Sequence, residues 1–226
     1  MRQAYHVQLA DLGDHGSRMA RLAGDTMRDA SRALLEADLA LAERVINRDV
    51  VLDDMRATTE DVALELLALQ SPVASDLRSV VSALWIVADL QRMGTLAIHV
   101  AKAARRRHPA AVLPDGIRPV FERMGGVAAH LADRTEVILR TRDIELARQL
   151  DGEDSLMDDL HSELFTALMA PDWAYGVQAA VDISLLGRFY ERFGDHAVAV
   201  SRRVIFLVTG ENVGGDTTPA LVPPER

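Results

Sequence analysis

One pattern occurs twice in this chain, and any fold it adopts has to house both copies. Asp38, Asp49, Asp53 and Asp54 recur 105 positions later as Asp143, Asp154, Asp158 and Asp159. Further along, Asp89-Leu-Gln-Arg-Met-Gly-Thr-Leu96 recurs 100 positions later as Phe189-Tyr-Glu-Arg-Phe-Gly-Asp-His196. The mismatch between the two offsets falls at the turns around Pro72 and Pro171, where a shorter connection changes closure entropy only slightly. The chain therefore reads as a tandem duplication of one supersecondary unit.

Each unit reads as three helices. Gly and Pro are sparse and clustered, aromatics are 4% of residues, and Ala, Leu, Glu, Asp and Arg dominate, a mixture that favours helix over strand. Apolar residues recur three and four apart, as in Leu9, Leu12, Met19, Leu22, Met27, Ala30 and Leu34, which predicts one long first helix. Asp38 is placed to cap a second helix carrying Leu41, Val45, Ile46, Leu52, Met55, Val62, Leu66 and Leu69. A third is expected to take Pro72 in its first turn and to run to Arg105-Arg106-Arg107, whose cations suit a helix C-terminus. Three prolines and a glycine between Pro109 and Pro119 mark the boundary between the halves. A fourth helix over roughly 117–140, a fifth from Asp143 and a sixth after Pro171-Asp172-Trp173 reaching Thr209 complete the reading. The expected architecture is all-α, two tandem three-helix bundles of six long antiparallel helices. Residues 1–108 form the first repeat, 109–116 a linker, 117–210 the second repeat, and 211–226 a disordered tail rich in Gly, Thr and Pro.

Composition then excludes several chemistries. Cysteine is absent, so disulfides and thiolate metal sites are ruled out and a reducing, cytoplasmic setting is expected. A net charge of −9 disfavours nucleic acid as a partner, because phosphate neutralisation needs a basic field. Lys102 is the only lysine, which argues against covalent lysine chemistry. No uninterrupted apolar run approaches the ~20 residues of a membrane span, the N-terminus lacks a secretory pattern, and a soluble protein is expected. Phosphate-cradling Gly-rich loops, nucleophile elbows and HExxH motifs are missing.

The duplicated carboxylates remain. Asp154 and Asp158 stand four apart, as do Glu191 and Asp195, and residues four apart share a helix face with Cβ atoms about 5–6 Å from one another. Counting 100° per residue puts both pairs on the apolar sides of their helices. If those helices pack together, four carboxylates converge, and buried carboxylates need cations or protons, since one buried ion costs several kcal/mol. A metal ion held by hard oxygen ligands, in the Fe, Mn, Zn or Mg range, is one remedy. Salt bridges to Arg188, Arg192, Arg202 and Arg203 are the other. In the first half the same positions hold Asp49, Asp53, Gln91 and Thr95. Only two charges remain there, so that half is expected to bind metal weakly or not at all, with Gln and Thr hydrogen-bonding the aspartates.

His161, three residues after Asp158, completes an acid-x-x-His unit of the kind found in di-iron bundles, but Arg56 stands at its counterpart. His161 and His196 are accordingly read as surface residues or partners of ligands. Gly94 and Gly194 indicate close helix approach or room for an ion, and Arg92 and Arg192 indicate partners for carboxylates or docking residues.

The three-helix repeat, with Pro72-Val-Ala-Ser-Asp76-Leu-Arg78 and Asp89-Leu-Gln-Arg-Met-Gly in one half and Tyr190-Glu-Arg-Phe-Gly-Asp-His196 in the other, resembles the PhoU family of phosphate-transport regulators over about residues 1–210. That resemblance implies a non-catalytic cytoplasmic protein, often dimeric, that damps phosphate uptake and phosphate-starvation signalling. Its implied partners are the ATPase of a phosphate importer and a membrane sensor histidine kinase, so that it reaches the membrane only through them. It also implies metal clusters on the bundle surface, falling here on Asp154, Asp158, Glu191 and Asp195 and, in degenerate form, on Asp49, Asp53, Gln91 and Thr95. The second half lacks the Asp76-Leu-Arg78 sequence and has Val177-Gln-Ala-Ala180 nearby. Two rival readings are a carboxylate-bridged, metal-dependent enzyme and a metal-free helical scaffold.

Overall fold

A computed structural model describes residues 2–213, with side chains at 8, 9 and from 11 onward. Most of the tail expected over 211–226 lies outside the described residues. The described chain is helical and contains no strand: α1 (Arg2–Glu36), α2 (Leu39–Ile46), α3 (Asp49–Gln70), α4 (Ala74–Arg107), α5 (Arg118–Thr141), α6 (Ile144–Leu168) and α7 (Gly176–Thr209).

The second helix of the first repeat, expected to be continuous, is broken into α2 and α3 at Asn47-Arg48. Val45-Ile46-Asn47 is a run of weak helix formers, and Arg48 Nη2 is held to Asp29 on α1 at 2.6 Å. Its counterpart α6 runs unbroken through Gly152. Asp38 and Asp143 cap their helices as their positions predict, accepting backbone N–H groups from Leu41 and from Glu145 and Leu146 respectively. Pro72 falls outside α4 instead of in its first turn. Ser71 ends α3 with φ 44°, and extended Val73 is the residue that precedes α4.

The two halves share one core. Met19, Met27, Leu90, Met93, Phe121, Met124, Tyr190 and Phe193 are all buried in a single apolar cluster drawn from both repeats. α4 and α7 pack side by side and antiparallel: Trp85 meets Phe206, Asp89 meets His196, His99 meets Phe189 and Arg107 meets Asp182. On the other side α1 lies along α5, where a Cβ on Gly24 would sit 2.8 Å from that of Ala132. Arg21 pairs with Glu136, and Arg28 with Asp133. Inside, the hydroxyl of Ser31 donates to the carbonyl of Met27 at 2.8 Å, which leaves its oxygen to accept from the Tyr190 hydroxyl, also at 2.8 Å. Of the remaining helices, α3 and α6 cover the outer flanks of α4 and α7, and α2 packs against α1 and α4.

α4 is long and apolar enough to cross a membrane by length and composition, yet more than half of that stretch is buried within the bundle. Core helices pass the same test, because burial on several sides selects the same residues.

The arginine run at the end of α4 does more than complement a helix terminus. Arg106 and Arg107 both donate to Asp182 of α7, Arg107 Nε at 2.9 Å, and the Asp182 side chain is only 11% exposed. Hydrogen bonds to charged groups contribute about 1.5–3 kcal/mol. Asp182→Ala is therefore expected to lower unfolding stability by about 2 kcal/mol, with Arg107→Ala costing at least as much because it leaves the Asp182 carboxylate buried beside the exposed Arg106 alone. Denaturant midpoints of the two variants and of the double variant test this; additive effects would mean that the pair does not act as a unit.

Candidate metal centre

The seam between α6 and α7 is built on two glycines. A Cβ at Gly194 would lie 2.1 Å from Asp154 Oδ1, and one at Gly187 would lie 2.9 Å from Leu164 and 3.1 Å from His161. Their absent side chains let α6 send Asp154 and His161 toward α7. In the first repeat Gly94 makes the same space, but Leu52 fills it, with Cδ1 2.2 Å from the Cβ position. Equivalent glycines thus receive an aliphatic side chain in one half and a carboxylate in the other.

Asp154 is 8% exposed, and its Oδ1 is buried without a hydrogen-bond partner. Burial, reinforced by Asp158, Asp195, Asp151 and Glu191, pushes its carboxyl up to about 7. Glu191 is raised too, by burial first and by Asp195 next. One Glu191 oxygen accepts from Arg188, one helical turn away, while the other is buried and unpartnered. Asp158 and Asp195 stand on the exposed flank of the same seam. The four carboxylates expected to meet in the core are thus divided, two inside and two at the rim. Among the described residues no three acidic or imidazole groups share a single coordination point in their present rotamers.

The first-repeat seam is settled internally. Gln91 Nε2 donates to Asp53 Oδ1 at 2.9 Å and to Thr95 Oγ1 at 3.2 Å, and Thr95 donates to the Gln91 carbonyl at 3.0 Å. Asp49 is half-buried, and its charge partly offsets the lowering of the His99 ring caused by burial and Lys102. At the position matching His161, Arg56 turns outward to Glu60, its Nε donating at 2.7 Å.

The arginines divide in their roles. Arg188 neutralises Glu191, Arg202 pairs with Asp151, and Arg203 lies over the Trp85 ring at 4.7 Å. Arg92 and Arg192 are exposed and form no ion pair among the described residues, so their reading as carboxylate partners is not what the structure displays. Asp76 occupies the first turn of α4. Arg78 is partly buried beside Gly210, at the C-terminal end of α7.

His196 is half-buried and turned toward α4. Its Nδ1 lies 3.0 Å from Asp89 Oδ1, a link between α7 and α4. Two features had escaped the sequence reading, the Asp182 clamp and the inward aim of His161, whereas Arg188 as a carboxylate partner had been expected. The aim of His161 was signalled by the acid-x-x-His spacing; the clamp depends on which helices become neighbours.

A duplicated helical bundle with one carboxylate seam closed by hydrogen bonds and the other left short of cations defines an all-α repeat protein whose two halves differ in the charge of their seams. Comparison with known proteins narrows this. The PhoU domain matches residues 17–104 and again 121–204. PhoU homolog 2 of Mycobacterium tuberculosis, a phosphate-specific transport system accessory protein, is 53% identical over 210 residues, 93% of this chain and 99% of that one. PhoU homolog 1 of Mycobacterium leprae is 52% identical over 219 residues, covering 97% and 99%. The crystal structure of PhoU from Pseudomonas aeruginosa superposes with a TM-score of 0.80 at 27% identity, over 92% of this chain and all of that one. The phosphate transport system regulatory protein PhoU of Streptococcus pneumoniae gives 0.81 at 25%, over 93% and 99%. The chain belongs to the PhoU family.

The seam carries a pH signature. A carboxyl whose folded pKa lies above its unfolded value penalises the folded chain once ionised, so the penalty is absent below about pH 4 and complete above about pH 7. In chelator-treated protein, Asp154→Asn is expected to be more stable than wild type by about 2 kcal/mol at pH 8 and indistinguishable from it at pH 4. Melting curves at the two pH values measure the difference. A gap of equal size at both would show that packing, not charge, is responsible.

Proposed function

We propose that this protein is a negative regulator of phosphate uptake and of phosphate-starvation signalling. It acts in the cytoplasm, as a homodimer and without catalysis, by docking helical surfaces onto the ATPase of a phosphate importer and onto a membrane sensor histidine kinase. The observation that carries the reading is the PhoU domain matched in both halves, together with relatives about half identical over nearly the whole chain that are named phosphate-specific transport accessory proteins. Surfaces suited to docking support it. Met169, Val177, Val181 and Leu185 expose large apolar side chains around the α6–α7 turn, as interaction sites do, and Arg92 and Arg192 offer exposed cations on α4 and α7.

The regulator carries one metal site, in the second repeat, with Asp154, Asp158, Glu191 and Asp195 as its oxygen donors. Fe, Mn, Zn and Mg are the candidate ions. The fit rests on two buried acceptor atoms, Asp154 Oδ1 and Glu191 Oε2, that no protein donor satisfies. Buried acceptors without partners are costly. A bound cation supplies the missing positive charge. Asp158 and Asp195, being exposed, can rotate toward it at little cost in packing.

Deleting the gene is expected to raise phosphate uptake and to keep phosphate-starvation genes active in phosphate-rich medium; unchanged uptake and expression would sink the regulatory reading. Wild-type protein reloaded with Zn2+ or Mn2+ is expected to hold metal at one site per chain, and Glu191→Ala/Asp195→Ala to lose it, whereas Asp49→Ala/Asp53→Ala keeps it. At a free metal concentration 100 times Kd the wild type gains about 2.7 kcal/mol of stability, reversed by chelator. Full metal content in the Glu191/Asp195 variant would remove the site.

A further inference from the structure

We propose that the exposed face of α7, from Asp172 in the turn before it to Arg192, is a two-fold interface on which a second copy of this chain lies antiparallel, with Val181 at the axis. This names the face for the homodimer reading above and rests on that reading. Val177, Val181 and Leu185 stand four residues apart on α7 and are 81%, 51% and 47% exposed, so they line one stripe of the helix. Leu164 and His161 of α6 lie against Gly187, and Asp154 against Gly194. The two helices therefore run antiparallel, which brings Phe165 and Met169, both exposed, beside the same stripe. Tyr175, also exposed, closes it at the N-terminal end of α7.

Area and charge identify the occupant. These side chains expose on the order of 600 Å2, against the roughly 800 Å2 that each partner contributes to a stable interface, and a polar rim supplies the difference. Beyond Leu185 the stripe continues into Arg188 and Arg192, and ahead of Val177 lies Asp172. Arg188 is held by Glu191. Arg192 and Asp172 are exposed and form no ion pair among the described residues. A surface with an acid at one end, apolar residues in the middle and a cation at the other is its own complement when reversed. Turned about an axis at Val181, the second copy sets Val177 against Leu185 and Asp172 against Arg192, each contact occurring twice. A helix rises about 1.5 Å per residue, so Arg192 beyond the axis and Asp172 before it stand at comparable distances from it.

The first repeat offers no such face on its central helix. Val177, Val181 and Leu185 answer there to Leu77, Val81 and Trp85, all partly buried, and Trp85 meets Phe206 and lies under Arg203. The stripe is confined to the second repeat, and one self-complementary face per chain closes a dimer instead of extending a row of copies.

Sedimentation velocity of the full chain across a concentration series reads the oligomeric state. Wild type is expected to be dimeric, Val181→Glu monomeric with an unchanged circular dichroism spectrum, and Leu64→Glu, on the exposed side of α3, dimeric like wild type. Arg192→Asp and Asp172→Arg each turn two attractive pairs into repulsive ones, and each is expected to weaken the dimer about tenfold or more. Combining them is expected to restore it. Because the chain has no cysteine, Val181→Cys gives a second readout. At the axis its two thiols come close enough to join in an intermolecular disulfide under mild oxidant, whereas Leu64→Cys is expected to stay uncross-linked. Should Val181→Glu fail to fold, the Val181→Cys cross-link decides. An undiminished dimer in Val181→Glu, no cross-link in Val181→Cys, or a double charge reversal no tighter than the single ones would overturn this face and leave the homodimer standing. A monomeric wild type would overturn both.

Discussion

The antiparallel pairing of α4 and α7 is the contact on which the rest of the molecule depends. Neither repeat encloses its own apolar face completely, and each supplies one long helix to a shared centre. Trp85 on Phe206, Asp89 with His196, His99 on Phe189 and Arg106 and Arg107 on Asp182 fix the register along the length of the pair. Because a buried carboxylate is most costly when its cation is removed, the Asp182 clamp opposes sliding of one repeat past the other. The buried Tyr190–Ser31–Met27 relay ties α7 to α1 and carries the same constraint across the bundle.

On that frame the two outer seams have diverged. Both need a glycine on the central helix and a short-reaching neighbour on the outer one. In the first, Leu52 fills the space at Gly94, and Gln91 and Thr95 meet the needs of Asp53 without any ion. In the second, the space at Gly194 receives the carboxylate of Asp154, and acceptors outnumber donors. An unsatisfied buried acceptor costs about 1–3 kcal/mol, more than one surface ion pair returns.

Much of this was legible beforehand for a simple reason: helical periodicity and internal repetition are local. The all-α class, Asp38 and Asp143 as caps, the end of α4 at Arg107 and the end of α7 at Thr209 follow from spacing and cap chemistry alone. The break at Asn47-Arg48 was not legible, since the pull of Asp29 on Arg48 comes from another helix. Nor was the division of the carboxylates. Counting 100° per residue placed Asp154 and Asp158 on one apolar side, but neighbours four apart differ by some 40° in azimuth, and at a helix–helix seam that angle separates a buried atom from an exposed one.

The sequence by itself determined the duplicated three-helix unit, the pairs of acidic residues four apart, and their loss at Gln91 and Thr95, because each is a matter of residue identity at fixed spacing. Tertiary structure alone decided that the repeats share one core, that Arg92 and Arg192 form no ion pair among the described residues while Arg188 takes Glu191, and that His161 faces inward. The physical reason is that hydrogen bonding and desolvation depend on which atoms lie within about 3 Å of one another, and those neighbours come from helices far apart in the chain.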